Sequence, residues 1–225
     1  LVSYLRTSNR GDARHSWAIL ALLVRFIREY WPQTRIVFRG DSHFSKPRLL
    51  AWCDRNQVDY IVGMARTQRL EALAAPAMDK VRTYYEAHGH KLASTFRFRY
   101  KARSWHKPRW VVARLEYGPQ GPNPRFVISS RYDDGFKLYY EQYCARGDME
   151  NRIKDQQLDL FAGRTSSTHW WTNQWRLILS GFAYTLFERL RVHLKNTPFE
   201  RMSAGTLRLK LIKVGAVIIR NTRRI

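Results

Sequence analysis

The stretch from Ile36 to Met64 constrains the fold most. Ile36-Val37-Phe38 is a short apolar run that stops at Arg39-Gly40-Asp41. Ser45 and Pro47 then give an N-cap and first-turn signature for a helix reaching about Asn56. Tyr60-Ile61-Val62-Gly63-Met64 reads as the next strand. Strand, helix, strand at this spacing is a βαβ unit, which implies a parallel sheet with helices on its faces.

The rest of the chain extends this α/β pattern. Leu1 to Leu5 reads as an opening strand, followed by a polar turn from Ser8 to Ser16. Ile19, Leu20, Leu23, Phe26, Ile27 and Tyr30 recur at helical spacing, so Trp17 to about Tyr30 is expected to be an amphipathic helix that Pro32 ends. A helix is expected over Gln68 to Ala87, with Pro76 as a candidate break. From Ser94 to Glu116 the chain alternates, as in Phe96-Arg97-Phe98-Arg99-Tyr100, and Asn123 to Arg131 continues the pattern after turns at Gly118, Pro119, Gly121 and Pro122. Period-2 alternation between such turns means antiparallel hairpins. Helices return from about Leu138 to Leu158 and from His169 to Arg191, and a basic tail follows Pro198.

The charge balance narrows the partner. Forty Lys and Arg against eighteen acids give a formal +22, a field that concentrates polyanions, nucleic acid above all. Hydrophobic residues make up 44% of the 225, enough for a real core and too many for a disordered basic tail. Two cysteines without a partner motif, Cys53 and Cys144, argue against a disulfide framework or a zinc ribbon and fit a reducing cytosol. The most apolar run, Leu177 to Leu190, is too short and too interrupted for a membrane span.

Two places carry candidate chemistry. Asp41 falls at the C-terminal end of a parallel strand, where α/β folds put ligand-binding side chains. On an ideal helix at about 100° per residue, Tyr143, Arg146, Glu150, Lys154 and Gln157 fall within a sector of roughly 80°. That stripe reads either as a site or as a solvated face with i, i+4 ion pairs. Between Lys91 and Arg114 lie eight Lys or Arg and no acid, interleaved with Phe96, Phe98, Tyr100, Trp105 and Trp110. Basic groups meet phosphates while aromatics stack on unpaired bases, and Trp105, at an expected strand end, is the candidate base-stacking wedge.

Tyr143-x2-Arg146-x3-Glu150 resembles the signature of DDE-type bacterial insertion-sequence transposases of the Tyr-Arg-Glu-Lys group. Arg39-Gly40-Asp41-Ser42-His43-Phe44, Ser104-Trp105, Asn123-Pro124-Arg125-Phe126-Val127, Arg164-Thr165-Ser166 and Asn173-Gln174-x-Arg176-Leu177 resemble one branch of it. The likeness runs from about Leu5 to Ile219. It departs at the signature lysine, seven residues after the Glu, where this chain has Gln157; Lys154 on the same stripe is the alternative.

The resemblance implies a ribonuclease-H-like sheet with flanking helices, interrupted by an antiparallel β insertion between the second and third acids. Residues 1–92 then form the first part of the catalytic domain, 93–135 the insertion, 136–196 the helical part carrying the Glu, and 197–225 the tail. It implies catalytic, metal-holding carboxylates at Asp41 (second acid) and Glu150 (third acid), with two Mg²⁺ or Mn²⁺ ions for in-line displacement at phosphorus. Tyr143, Arg146, Lys154 and Trp105 become the DNA-binding residues. The implied partners are double-stranded DNA, as transposon ends and target, and a second copy of the chain in the DNA complex. The place of action is the bacterial cytoplasm, at the nucleoid.

In such a fold the first acid lies on the first strand, two strands before the first helix. Here the sole acid upstream of Glu29 is Asp12, in a polar turn. The first catalytic Asp is therefore expected upstream of Leu1, and the chain reads as the C-terminal portion of a transposase. A catalytically inactive DNA-binding remnant of a transposase is the alternative, and a basic ribosome-associated protein leaves Asp41 and the Tyr143–Glu150 stripe without a role. His88-Gly89-His90 offers too few ligands for a metal. Gly40-Asp41-Ser42 also matches a serine-esterase nucleophile motif, but the required Asp-x-x-His occurs only upstream, at Asp12 to His15.

Overall fold

The computed structural model describes residues 3–5 and 15–217, and for Arg146 and Asp148 the backbone only. The chain forms two compact units, Gly11–Arg146 and Leu1–Arg10 with Gly147–Ile225.

The first unit is built on the expected βαβ core. Helix α1 (Ser16–Tyr30) leads to β1 (Val37–Gly40), α2 (Pro47–Arg55) and β2 (Asp59–Met64), and β1 and β2 pair in parallel with Phe38 opposite Tyr60. Pro47 starts α2 as expected, but Lys46 holds the N-cap position; the Ser45 hydroxyl donates instead to the Ser42 carbonyl at 2.7 Å. Helix α3 (Gln68–His88) runs through Pro76 unbroken. Proline removes one helical hydrogen bond and crowds the preceding turn. Two features offset this: the Thr67 side chain accepts from the Leu70 N–H as a cap, and Leu70, Ala74 and Val81 are buried at helical spacing against the sheet.

The antiparallel strands β3 (Ser94–Tyr100), β4 (Arg109–Leu115) and β7 (Arg125–Ser129) form where alternation predicts them. They lie between Asp41 and Glu150 in the chain and join the same sheet as the parallel pair. Strand β7 pairs antiparallel with β2, Gly63 opposite Val127, and also with β4, so one mixed sheet runs β1-β2-β7-β4-β3. A two-residue pair, β5 (Tyr117–Gly118) and β6 (Gly121–Pro122), caps the connection. Along β3 the alternation has a clear cause. Phe96, Phe98 and Tyr100 pack towards α3, whereas Arg97 and Arg99 turn to the other face and lie over the Tyr132 and Trp110 rings at 3.8 and 5.0 Å.

One sheet face carries the core of Val24, Leu49, Leu50, Tyr60, Val62, Trp105 and Ile128. Here Trp105 departs from its expected role. It is 5% exposed, edge-on to Tyr100 at 5.5 Å, with the Arg109 guanidinium over its ring at 5.2 Å. Its ring is committed to the core, so the reading of Trp105 as a base-stacking wedge is withdrawn. Beneath it Arg109 Nη2 meets Asp54 at 2.7 Å, and Lys107 and His106 converge on the same carboxylate at 3.0 and 3.6 Å. Burial, reinforced by the Asp54 charge, pushes the neighbouring Cys53 thiol up to about 12, which keeps it protonated and inert.

The other face packs Ile61, Val112 and Val127 against Leu138 and Tyr139. These belong to a segment expected as one α-helix from Leu138 to Leu158. It is instead a π-helical turn, Lys137–Tyr143, followed by a tight 3₁₀ turn, Cys144–Arg146.

In the second unit, α4 (Gly147–Lys154) and a π-helical turn, Asp155–Asp159, precede the long helix α5 (Trp170–His193). Arg191 ties them: its Nη2 reaches Asp155 at 2.5 Å, its Nη1 pairs with Glu188, and it also donates to the Met202 carbonyl. The tail forms α6 (Ala204–Leu207) and a π-helical turn, Arg208–Ile212, joined to the rest by the Gly205 N–H donating to Asp159 at 2.7 Å. Residues 3–5 carry no strand; Gln174 holds them, accepting from Leu5 N–H and donating to the Ser3 carbonyl.

Candidate active site

Asp41 stands where β1 leaves the sheet. The Arg39-to-Phe44 run builds this corner residue by residue. Arg39 Nη1 donates to the Gln142 carbonyl at 2.8 Å, tying the strand end to the π-helical turn. Gly40 leaves room for Phe44: a Cβ there would lie 2.9 Å from the Phe44 Cβ. Phe44 packs edge-on against Phe38 at 5.6 Å, folding the chain sharply. Asp41 caps the resulting short 3₁₀ turn, Ser42–Phe44, by accepting from the His43 N–H at 2.9 Å. The Asp41 side chain stays 39% exposed, with the His43 ring nitrogen 3.4 Å away.

Asp41 opens onto a cleft of about 350 Å³ whose lining includes Gly63, Arg66, Arg125, Tyr139 and Tyr143. Tyr143 is half-buried, its ring 5.7 Å from Tyr139. Burial holds the Tyr139 hydroxyl above its ordinary range even though Arg125 hydrogen-bonds to it, so it stays a neutral hydroxyl. Arg66 pairs with Glu71, and Arg125 is exposed at the cleft. Thus Asp41 and Tyr143, remote in sequence, line one concavity with two guanidiniums. A larger hollow of about 530 Å³ lies by Lys91, Glu116 and Gly118 to Asn123. Its one lining carboxylate is already taken: burial opposes ionisation of Glu116, but the Lys91 hydrogen bond and the Arg114 charge hold its carboxyl below the usual range. It lacks a free acid for chemistry.

Glu150 and Lys154 sit one turn apart on α4, both exposed, so they share a helix face. Arg146 ends the 3₁₀ turn before α4. The wider stripe through Tyr143 and Gln157 assumes a uniform 100° step, and that step holds only over Gly147–Lys154. Arg152, off the stripe, pairs with Glu188 of α5 at 3.2 Å. Asp12 lies outside the described residues.

Asp41 and Glu150 supply the hard carboxylate oxygens that a divalent cation such as Mg²⁺ prefers. In number they fall short within either unit: among the described residues no three His, Cys, Asp or Glu side chains gather to hold a metal. Sequence reasoning missed Gly63 and Arg125 as parts of the site. Arg125 stands in a quoted segment, but only the β2–β7 pairing brings it beside Asp41.

A mixed, helix-flanked sheet with an exposed acid at the end of its parallel pair and arginines lining the same cleft defines an α/β domain with a candidate site for an anionic substrate. The chain belongs to the transposase DDE domain group 1 family, whose family model matches residues 1–225. No curated protein matches it. The partner class of such a protein is DNA. Among the described residues no helix is long and apolar enough to cross a membrane.

Proposed function

We propose that the chain performs divalent-metal-dependent DNA strand cleavage and transfer at the ends of a bacterial insertion sequence of the Tyr-Arg-Glu-Lys group. Asp41 and Glu150 are its catalytic carboxylates, and Tyr143, Arg146 and Lys154 hold the DNA end. The observation that carries this reading is the shared cleft of Asp41 and Tyr143, flanked by Arg66 and Arg125. Guanidiniums and hydroxyls bind phosphate oxygens, and an exposed carboxylate is suited to a hard cation. When bound, the cations activate an attacking oxygen and stabilise the leaving one. The protein's part is to fix Asp41 by its cap and sheet position and to grip the backbone beside it. The +22 charge draws duplex DNA to the surface, with affinity falling steeply as added salt makes counterion release from the DNA less favourable.

The test uses end-labelled DNA carrying the insertion-sequence end, with the full-length protein, Mg²⁺ and a denaturing gel. The wild type nicks the end; Asp41→Asn and Glu150→Gln bind it with unchanged affinity and do not cut. Cleavage by either variant at the wild-type rate would remove that carboxylate from the site. A wild type that binds but never cuts would instead make the protein a DNA-binding remnant.

A further inference from the structure

A glycine in the interior of a strand weakens it and is retained where another group approaches the backbone closely. Gly63 lies within β2, opposite Val127 of β7, on the sheet face that carries Tyr139 and Tyr143. A Cβ added there would meet the Tyr143 hydroxyl at 2.5 Å, the Ser42 amide nitrogen at 3.1 Å and the Asp41 carbonyl carbon at 3.3 Å. Real Cβ atoms do not sit 2.5 Å from an oxygen, so the tyrosine would have to move. The two backbone contacts are tight but give by tenths of an ångström. The missing side chain therefore makes the niche in which the tyrosine hydroxyl comes up to the strand end bearing Asp41.

We propose that Gly63 is a positioning residue: it seats the Tyr143 hydroxyl against the Asp41 turn so that both reach the same DNA phosphate. This rests on the DNA-gripping role given to Tyr143 above. Its neighbours support the seat. Arg39 fixes the Gln142 carbonyl, one residue before the tyrosine, at 2.8 Å. Leu138 and Tyr139 anchor the same turn in the core. The ring's approach is thus set from the helix side, and Gly63 sets it from the sheet side.

The experiment is a double-mutant cycle in the full-length protein, reading affinity for insertion-sequence-end DNA against affinity for an unrelated duplex. Tyr143→Phe removes the hydroxyl, and Gly63→Ala displaces it. Each weakens end binding by about tenfold, the worth of one hydrogen bond to an anion, with binding to the unrelated duplex unchanged. The double variant is no weaker than Tyr143→Phe alone, because the displaced group is already gone. Losses that add in the double variant, or end binding by Gly63→Ala equal to wild type while Tyr143→Phe is weak, would overturn the positioning role alone. Full end affinity in Tyr143→Phe would remove the tyrosine's role and the positioning role together. Circular dichroism checks folding. If Gly63→Ala unfolds, the double variant, freed of its closest clash, folds and binds as Tyr143→Phe does; a double variant that also unfolds assigns Gly63 to the backbone turn and refutes the proposal.

Discussion

Removing Asp54 should destabilise the first unit by an amount its surroundings allow us to work out. The Arg109 side chain is 1% exposed, and its Nη2 lies 2.7 Å from Asp54. Among the described residues its Nε is buried with no hydrogen-bond partner and its Nη1 makes only a long bond to the Lys107 carbonyl at 3.5 Å, so Asp54 supplies the guanidinium's counter-charge. In Asp54→Ala a buried cation loses its counter-charge, which costs about 3–5 kcal/mol. The Tyr60 hydroxyl, 3.3 Å from Asp54 Oδ1, loses its partner as well, at about 1 kcal/mol. Lys107 is half exposed, and its release is worth roughly 0–1 kcal/mol. The Trp105 and Tyr60 rings beneath Arg109, at 5.2 and 5.8 Å, still face the cation in the variant and hold the loss to the lower end of this range. A net loss of about 4 kcal/mol lowers the melting midpoint by roughly 8–16 °C for a chain of this size. Urea unfolding followed by tryptophan fluorescence measures it. The double variant Asp54→Leu/Arg109→Met should regain most of the loss, because apolar groups of similar volume replace a buried pair at little cost. A loss below about 1 kcal/mol in Asp54→Ala would mean that water reaches Arg109, and the burial argument would fall.

Trp105→Ala should lose about 3–5 kcal/mol of stability by cavity formation; in gel shifts below its melting temperature it binds DNA as the wild type does, and a selective loss of single-strand affinity would reinstate the wedge. Glu116 has a carboxyl held low in the folded state, so its contribution is complete above the unfolded value near 4.5 and is lost as pH falls below it. Thermal melts of Glu116→Gln should therefore show a smaller drop between neutral and acid pH than the wild type; parallel curves would refute the coupling to Lys91 and Arg114. Arg146→Ala should weaken binding to insertion-sequence ends in gel shifts made below its own melting temperature. Arg152→Ala, which breaks only a half-exposed pair with Glu188, should change end binding little, and equal losses from both would leave the helix with no dedicated DNA face.

The parts of the fold legible in the sequence are those written in local periodicity. Ile19 to Tyr30 marked α1, Phe96 to Tyr100 marked β3, and Asp41 was placed at a strand end by the apolar run before it. What stayed hidden depends on partners far along the chain. Nothing local in Phe126-Val127-Ile128 says that the strand will pair with β2, so the place of the hairpins in the sheet, with β7 at its centre, is not legible from sequence. Trp105 sits in a run of cations and aromatics that reads as a nucleic-acid-binding surface. Its burial follows from Arg109 turning inward to Asp54, an acid on another element. Gly63 looked like one strand residue among five, because the group that needs its space, Tyr143, arrives from beyond the whole sheet. The helix after Gly135 was legible in position but not in kind. Tyr139 and Tyr143 settle against the sheet through a π-helical turn, which periodicity at 3.6 does not register.

The strand order also governs how the chain must be made. The sheet's centre, β7, is the last of its five strands to leave the ribosome. β1 and β2 can pair as soon as residue 64 emerges, and β3 and β4 fold on each other as a hairpin. The two halves then wait, with Ile61 and Val62 on one side and Val111, Val112 and Ala113 on the other, all buried in the finished sheet. Translation from β2 to β7 takes several seconds at about 5–20 residues per second. The β2 edge lies open throughout that interval, and the β4 edge joins it once Leu115 has emerged, leaving two apolar strand edges open, the arrangement that seeds intermolecular pairing. Newly made protein is thus most exposed to aggregation just before β7 arrives, and a chain arrested there holds both edges of a gap that only its own next few residues are shaped to fill.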